Sequence, residues 1–294
     1  MKNIFKRSLS IALALVTAFT ITACSNDAGA EKGTEDNPFK VGVVGDIERI
    51  VWEDVESRLE ADGTYIDIEV FTDYIRPNES LADGSIDMNA FQHMVYLADY
   101  VNESGNDLQP VGYTYISPMA AYSDVYASLD ELVDGDQVVI PDDVTNGGRA
   151  LLLLEIAGVI EVDDAAGVTP STSDITANPK NLEILEMPSE QVIRTLADAA
   201  VVVSNTNYAV DAGYDPFTDG IFVDTDDLSQ VGGQYKNAMV VQAADIDDEV
   251  VATIVAAYQS EATEDKIAEV SNGADQGAWS NDDDIAADFA AVKG

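Results

Sequence analysis

Hydrophobic and polar positions along this chain follow two periods in turn. "FKVGVVG" (Phe39–Gly45) is a short apolar run of the kind found in buried strands. "IERIVWEDVESRLEA" repeats its apolar residues every three or four positions, as one face of a helix does, and "YIDIEVF" (Tyr65–Phe71) alternates again as a strand. Together they predict a βαβ opening. The pattern continues with a helix from about Pro77 to Leu81, a helix from Phe91 to about Glu103, and two extended pieces, "LQPVGYTY" and "MAAYSDVY", around Ser117 and Pro118. A new unit then begins with a turn capped by Ser128, the strand "QVVIP", a loop "DDVTNGG" with an N-cap at Thr145 or Asn146, and a helix ending near Gly158. "NLEILEM", the helix "SEQVIRTLADA", the strand "AVVVSN" and the turn "DAGYDPFTDG" complete it. "GIFV" leads away, "NAMVVQA" is a further strand, and "DDEVVATIVAAYQS" opens a helical tail.

Such alternation implies an α/β fold with mainly parallel sheets. The change near Ser117-Pro118 and the return near Phe222 predict a discontinuous lobe, residues 39–117 plus 223–294, around a continuous lobe, residues 118–222. Ligands in such folds bind beyond the C-terminal ends of the strands, here in a cleft between lobes.

The N-terminus sets the compartment. Lys2, Lys6 and Arg7 precede the apolar run "SIALALVTAFT", and small residues lead into Cys24 through "ITAC". The run is too short to span a bilayer, so residues 1–23 read as a signal peptide. The only cysteine lies where a bacterial lipoprotein is cleaved and acylated, and Cys24 is expected to carry a lipid that holds the protein on the extracytoplasmic face of the cell membrane. Residues 24–38, with few apolar positions, read as a flexible tether.

Charge narrows the partners. Lys plus Arg number 14 against 55 Asp plus Glu, and removal of the three signal-peptide cations leaves a net charge near −44. A nucleic-acid partner is excluded, as is docking on anionic lipid through a basic patch. The acidity fits either salty surroundings, where screening relieves self-repulsion, or a surface that merely aids solubility.

Enzyme signatures are missing: the chain has no GxSxG, no HExxH, no P-loop lysine in "TNGGRA" and no GxGxxG after its first strand. One histidine and one cysteine cannot build a zinc site from nitrogen and sulfur ligands, so neither a catalytic residue, a metal nor a cofactor is expected. "DAGYDPFTDG" and "NDDD" read either as calcium loops or as turns with solvated acids. Arg149 is placed in the first turn of its helix, where the dipole disfavours a cation. It either grips an anion beside free N–H groups or pairs with one of the many acids. His93 stands among Phe91, Tyr96 and Tyr74, as a structural residue or as part of an aromatic, hydrogen-bonding pocket.

The stretches "FTDYIRPNESLADGSIDMNAFQHMVYL", "YISPMAAYS", "IPDDVTNGGRALLLLEIAG", "NPKNLEI", "SNTNYAVDAG", "DGIFV" and "NGADQGAW" carry a family resemblance from about Phe39 to Trp279. The chain resembles the NlpA-type methionine-binding lipoproteins, the substrate-binding components of methionine ABC importers. The resemblance implies a two-lobed periplasmic-binding-protein-like fold of type 2 that closes on L-methionine, performs no chemistry, and delivers the ligand to a permease driven by an ATPase. It implies that Tyr74, Phe91 and Tyr96 line a slot for the thioether, that His93 borders it, and that Arg149 takes the α-carboxylate. Asn205 and Asn237 would fix the amino and carboxylate groups, with Asn146 near the helix start and Asp46 after the first strand as further candidates. "MVYL" after His93 and the acids around "DQGAW" depart from the usual pattern. They leave D-methionine, a methionine derivative or a short methionine-containing peptide as alternative ligands.

Overall fold

The computed structural model describes residues 31–225 and 232–294; the expected signal peptide, Cys24, the start of the tether and residues 226–231 lie outside the described residues. Two five-stranded sheets organise the rest. The first has the order β2-β1-β3-β13-β4, from β1 (Phe39–Val44), β2 (Ile66–Phe71), β3 (Met88–His93), β4 (Leu108–Tyr113) and β13 (Asn237–Gln242). The second has the order β10-β7-β11-β6-β12, from β6 (Met119–Tyr122), β7 (Gln137–Pro141), β10 (Glu183–Met187), β11 (Val201–Asn205) and β12 (Phe222–Val223). Two small pairs join β5 (Tyr115–Ile116) to β14 (Gln276–Gly277) and β8 (Glu161–Val162) to β9 (Ile175–Ala177).

The sheets are mixed rather than mainly parallel. β1 runs parallel to β2 and β3, but β13 returns antiparallel to both β3 and β4. Likewise β7 is parallel to β10 and β11, whereas β6 opposes β11 and β12. The chain leaves the first sheet after β4 and re-enters it through β13, so each crossing between sheets adds a strand of opposite direction.

The helices are α1 (Asp46–Ala61), α2 (Arg76–Ala82), α3 (Met94–Ser104), α4 (Val144–Ile156), α5 (Ser189–Val192), α6 (Thr206–Asp211), α7 (Glu249–Tyr258), α8 (Glu261–Val270) and α9 (Ile285–Lys293). α1 buries Ile47, Val51, Trp52, Val55 and Leu59, a stripe at helical spacing that packs on Val41, Val43 and Tyr258. The Trp52 and Tyr258 rings stand 4.8 Å apart in that core. In the second lobe Leu151, Leu153 and Leu154 of α4 pack on Val138 and Ile140 of β7, so truncating Leu154 to alanine would cost about 2–5 kcal/mol.

Three expected elements differ. Phe91 and His93 end a strand: β3 is buried along its whole length, and the helix starts only at Met94. A central strand covered on both faces shows no alternation, so its apolar run merges with that of the following helix. α4 starts at Val144 with Asp143 as its N-cap, not Thr145 or Asn146, because the Asp143 carboxylate accepts the Asn146 N–H at 2.8 Å. Arg149 therefore falls in the second turn, beyond the strongest part of the dipole field. "SEQVIRTLADA" forms only the single turn α5 and a 3₁₀ turn over Ile193–Thr195.

The tether is also shorter than expected. Gly33 is buried, its carbonyl accepts the Tyr65 N–H at 2.9 Å, and Lys32 pairs with Asp87. Backbone pairing thus orders residues that their polar composition alone assigned to a linker. The acidic turn "DAGYDPFTDG" uses its carboxylates locally: Asp215 Oδ1 accepts the Phe217 and Thr218 N–H groups, and Asp219 Oδ2 accepts that of Asp215. No helix among the described residues is long and apolar enough to cross a membrane.

Candidate functional site

Strand ends and crossovers from both sheets meet at one small cavity, in which the centre of a water-sized sphere can range over about 40 Å³. Tyr74 follows β2, Phe91, Gln92 and His93 end β3, Tyr96 lies in the first turn of α3, and Asn237 opens β13 opposite His93. From the second sheet come Asn146 and Arg149 of α4, Asn205 at the end of β11, and Thr206 and Asn207 of α6. Tyr115, Ser117 and Pro118, on the crossover, close the remaining side.

One wall is aromatic. Tyr74 stands 5.8 Å from Phe91, 6.1 Å from Tyr96 and 4.9 Å from Tyr208, ring centre to ring centre. The Tyr74 hydroxyl donates to Asn207 Oδ1 at 2.6 Å across the cleft, and the Tyr96 hydroxyl donates to the Tyr74 carbonyl at 3.0 Å. Burial raises the pKa of both phenols, Tyr74 above all, so they stay protonated. Beneath this wall Asn78, Asn89 and Gln92 form a closed amide network with bonds of 2.6–2.9 Å, which satisfies the polar side chains of buried β3 and fixes the strand that carries Phe91 and His93.

The opposite wall is polar and ordered by hydrogen bonds. His93 caps α3, its Nδ1 accepting the Tyr96 N–H at 3.1 Å, so the ring proton resides on Nε2. Nε2 then faces Asn146 Oδ1 at 3.3 Å. Desolvation first, and then the nearby Arg149 charge, lower the imidazole pKa to about 4; it is neutral at pH 7. The Asn146 amide NH₂ donates to both Asp143 oxygens at 3.1 Å, which turns its oxygen towards His93 and Asn205. Asn205 Nδ2 donates to that oxygen at 2.8 Å, while Asn205 Oδ1 is buried with no hydrogen-bond partner among the described residues.

Arg149 pairs with an acid, the second of the two readings its sequence position left open. Its Nε and Nη2 meet Asp224 Oδ2 at 2.9 and 2.7 Å, and Nη2 also donates to the Ser117 carbonyl at 2.9 Å. The guanidinium carbon lies 4.5 Å from the Tyr235 ring centre. Among the described residues no acceptor meets Nη1. The intramolecular pair thus orients the guanidinium and, among the described residues, leaves one donor nitrogen without an acceptor. Behind the crossover, the Ser117 hydroxyl donates to Asp275, whose carboxyl is pushed up to about 7 by burial. Burial likewise raises the pKa of Glu48 well above the carboxylate range beside Tyr115.

Eight of the nine ligand-binding candidates from the sequence therefore line one cavity: Tyr74, Phe91, His93, Tyr96, Asn146, Arg149, Asn205 and Asn237. Asp46 does not. It sits exposed at the start of α1, paired with Arg49 at 3.0 Å and bordering a separate groove, because the first turn of α1 points past the cavity to the rim. Gln92, Tyr115, Ser117, Thr206, Asn207 and Asp224 were not singled out. Several lie inside the stretches that carry the resemblance, but nothing in their spacing marks them apart from ordinary strand and turn residues.

Comparison with known proteins agrees with this architecture. Residues 39–279 match the family described as NlpA lipoprotein. The D-methionine-binding lipoprotein MetQ of Salmonella typhimurium is 41% identical over 270 residues, covering 90% of this chain and 96% of the relative. Protein PG110 from Staphylococcus aureus superposes with a TM-score of 0.82 at 34% identity, covering 86% of this chain and 99% of the other. A nutrient binding protein from Burkholderia cenocepacia, solved bound to methionine, gives a TM-score of 0.78 at 36% identity, covering 82% of this chain and 100% of that one. With residues 39–279 matched by the family model and a relative 41% identical over 90% of the chain, this chain belongs to the NlpA lipoprotein family.

Proposed function

We propose that this protein captures methionine outside the cytoplasm and passes it to the permease of an ABC importer driven by a cytoplasmic ATPase, without chemistry on the ligand. One observation carries the reading. At the polar end of an aromatic slot, a buried acceptor (Asn205 Oδ1) and a cationic donor (Arg149 Nη1) are left without partners by their neighbours. An α-amino acid supplies the complement, an ammonium for the first and a carboxylate for the second. The slot of Tyr74, Phe91 and Tyr96 suits a flexible thioether, since sulfur packs favourably against aromatic rings. His93, neutral and with its proton on Nε2, borders the ligand without adding charge, and Asn237 and Asn146 complete the polar wall.

Residues 39–117 plus 223–294 act in this reading as one lobe and residues 118–222 as the other, turning about Ser117-Pro118 and Phe222. Ligand bound to one lobe gains contacts from the second on closure, which shifts the population towards the form the permease reads. A lipid on Cys24 keeps the protein at the extracytoplasmic face of the membrane. L-methionine is the proposed enantiomer, and the name of the Salmonella relative makes D-methionine the alternative. The test is mass spectrometry of small molecules released by denaturing the purified protein, followed by calorimetry with both enantiomers. Methionine in near one-to-one amount supports the reading. Release of a different compound, with no heat of binding for either enantiomer, overturns it.

A further inference from the structure

Helix α1, 16 residues long, starts at Gly45 without a side-chain cap from its own neighbourhood. The cap comes instead from across the cleft. Asp211, the last residue of α6, belongs to the segment that builds the second sheet, yet its Oδ2 accepts the Asp46 N–H at 3.0 Å. One of the donors left open at any helix start is thus satisfied by a charge of the sign the dipole favours. Gly45 makes the approach possible: its φ is +87°, and a Cβ there would stand 2.5 Å from Asp211 Oδ2. The opposite end of α6 carries Thr206 and Asn207 on the cavity, so one short helix joins the ligand wall to this contact.

We propose that Asp211 is a closing latch, a carboxylate of one lobe that caps helix α1 of the other only when the cleft is shut, and so strengthens ligand retention without touching the ligand. The inference rests on the clamp reading above. When the lobes part, the Asp46 N–H loses the Asp211 carboxylate as its acceptor, and the cap is lost together with the Tyr74–Asn207 hydrogen bond.

The test compares wild type with Asp211→Ala and Asp211→Asn, using calorimetry with methionine and small-angle scattering with and without it. Asp211→Ala is expected to bind methionine about three- to tenfold more weakly, the range for a lost cap acting through the closed population. Its unliganded form should scatter as a more open particle, while the saturated form matches wild type. Asp211→Asn, which retains an acceptor oxygen, should fall between the two, and it keeps the test available if the alanine variant folds poorly. Unchanged affinity and unchanged unliganded scattering in both variants, even with a lowered Tm, would make Asp211 a local helix cap and overturn the latch. If wild type itself fails to bind methionine, the proposed function fails, and the unliganded scattering of the variants still decides the latch.

Discussion

Replacing Arg149 separates its two jobs. Its side chain and that of Asp224 are only 7% and 11% exposed, so Arg149→Ala leaves a buried carboxylate facing little more than the Met119 N–H. Removing one partner of a buried pair costs about 3–5 kcal/mol of stability. The same change deletes the charge-assisted contact proposed for the ligand carboxylate, about 1.5–3 kcal/mol, or roughly 10- to 150-fold in Kd. Arg149→Met combined with Asp224→Asn removes the stranded charge as well, so a good part of the stability should return while the affinity does not. Chemical denaturation measures the first quantity, and calorimetry with methionine and methioninol, which lacks the carboxylate, measures the second. The single variant should lose affinity for methionine and little for methioninol. Equal losses for both ligands, or affinity that recovers in step with stability in the double variant, would refute a direct contact and leave Arg149 as a brace for the crossovers.

Asn205→Ala should weaken methionine binding by about 1–3 kcal/mol, the value of a buried acceptor for a charged donor; calorimetric affinity equal to wild type would count against Oδ1 as the ammonium partner. Burial gives two groups opposite pH signatures. The His93 contribution to stability is complete above 6.5 and lost as pH falls towards about 4, whereas the Asp275 contribution is complete below 3.8 and lost as pH rises through about 7. Asp275→Asn should therefore gain on wild type in denaturation midpoints as pH is raised from about 4 to 8, by on the order of a few kcal/mol at full extent; a gap that stays constant with pH would show that Asp275 is not protonated in the folded protein. Cys24→Ala should release the protein from the membrane pellet on fractionation, and its persistence there would contradict acylation.

Period and composition determined the α/β class, and they are also what carries the proposed unit boundary, signal peptide and acylated cysteine and the expectation of no nucleic-acid partner. These follow from local patterning and summed charge, which need no knowledge of neighbours distant in sequence. The identity of most cavity residues was legible for a different reason: quoted stretches such as "NAFQH" and "SNTNYA" carry a family resemblance, whereas their spacing alone left His93 and Arg149 ambiguous. Only the tertiary structure decided what those side chains do. The last three residues of β3, Phe91 to His93, hid inside an expected helix because a strand buried on both faces has no alternation to read. The pairing of Arg149 with Asp224 joins residues 75 positions apart, the His93 proton is placed on Nε2 by a backbone N–H of the helix it caps, and α1 takes its cap from Asp211, 165 positions away. The first and last are contacts between segments far apart along the chain, which no window of sequence contains, whereas the His93 cap is local, three residues long, and became legible only once the strand-to-helix boundary was placed at His93.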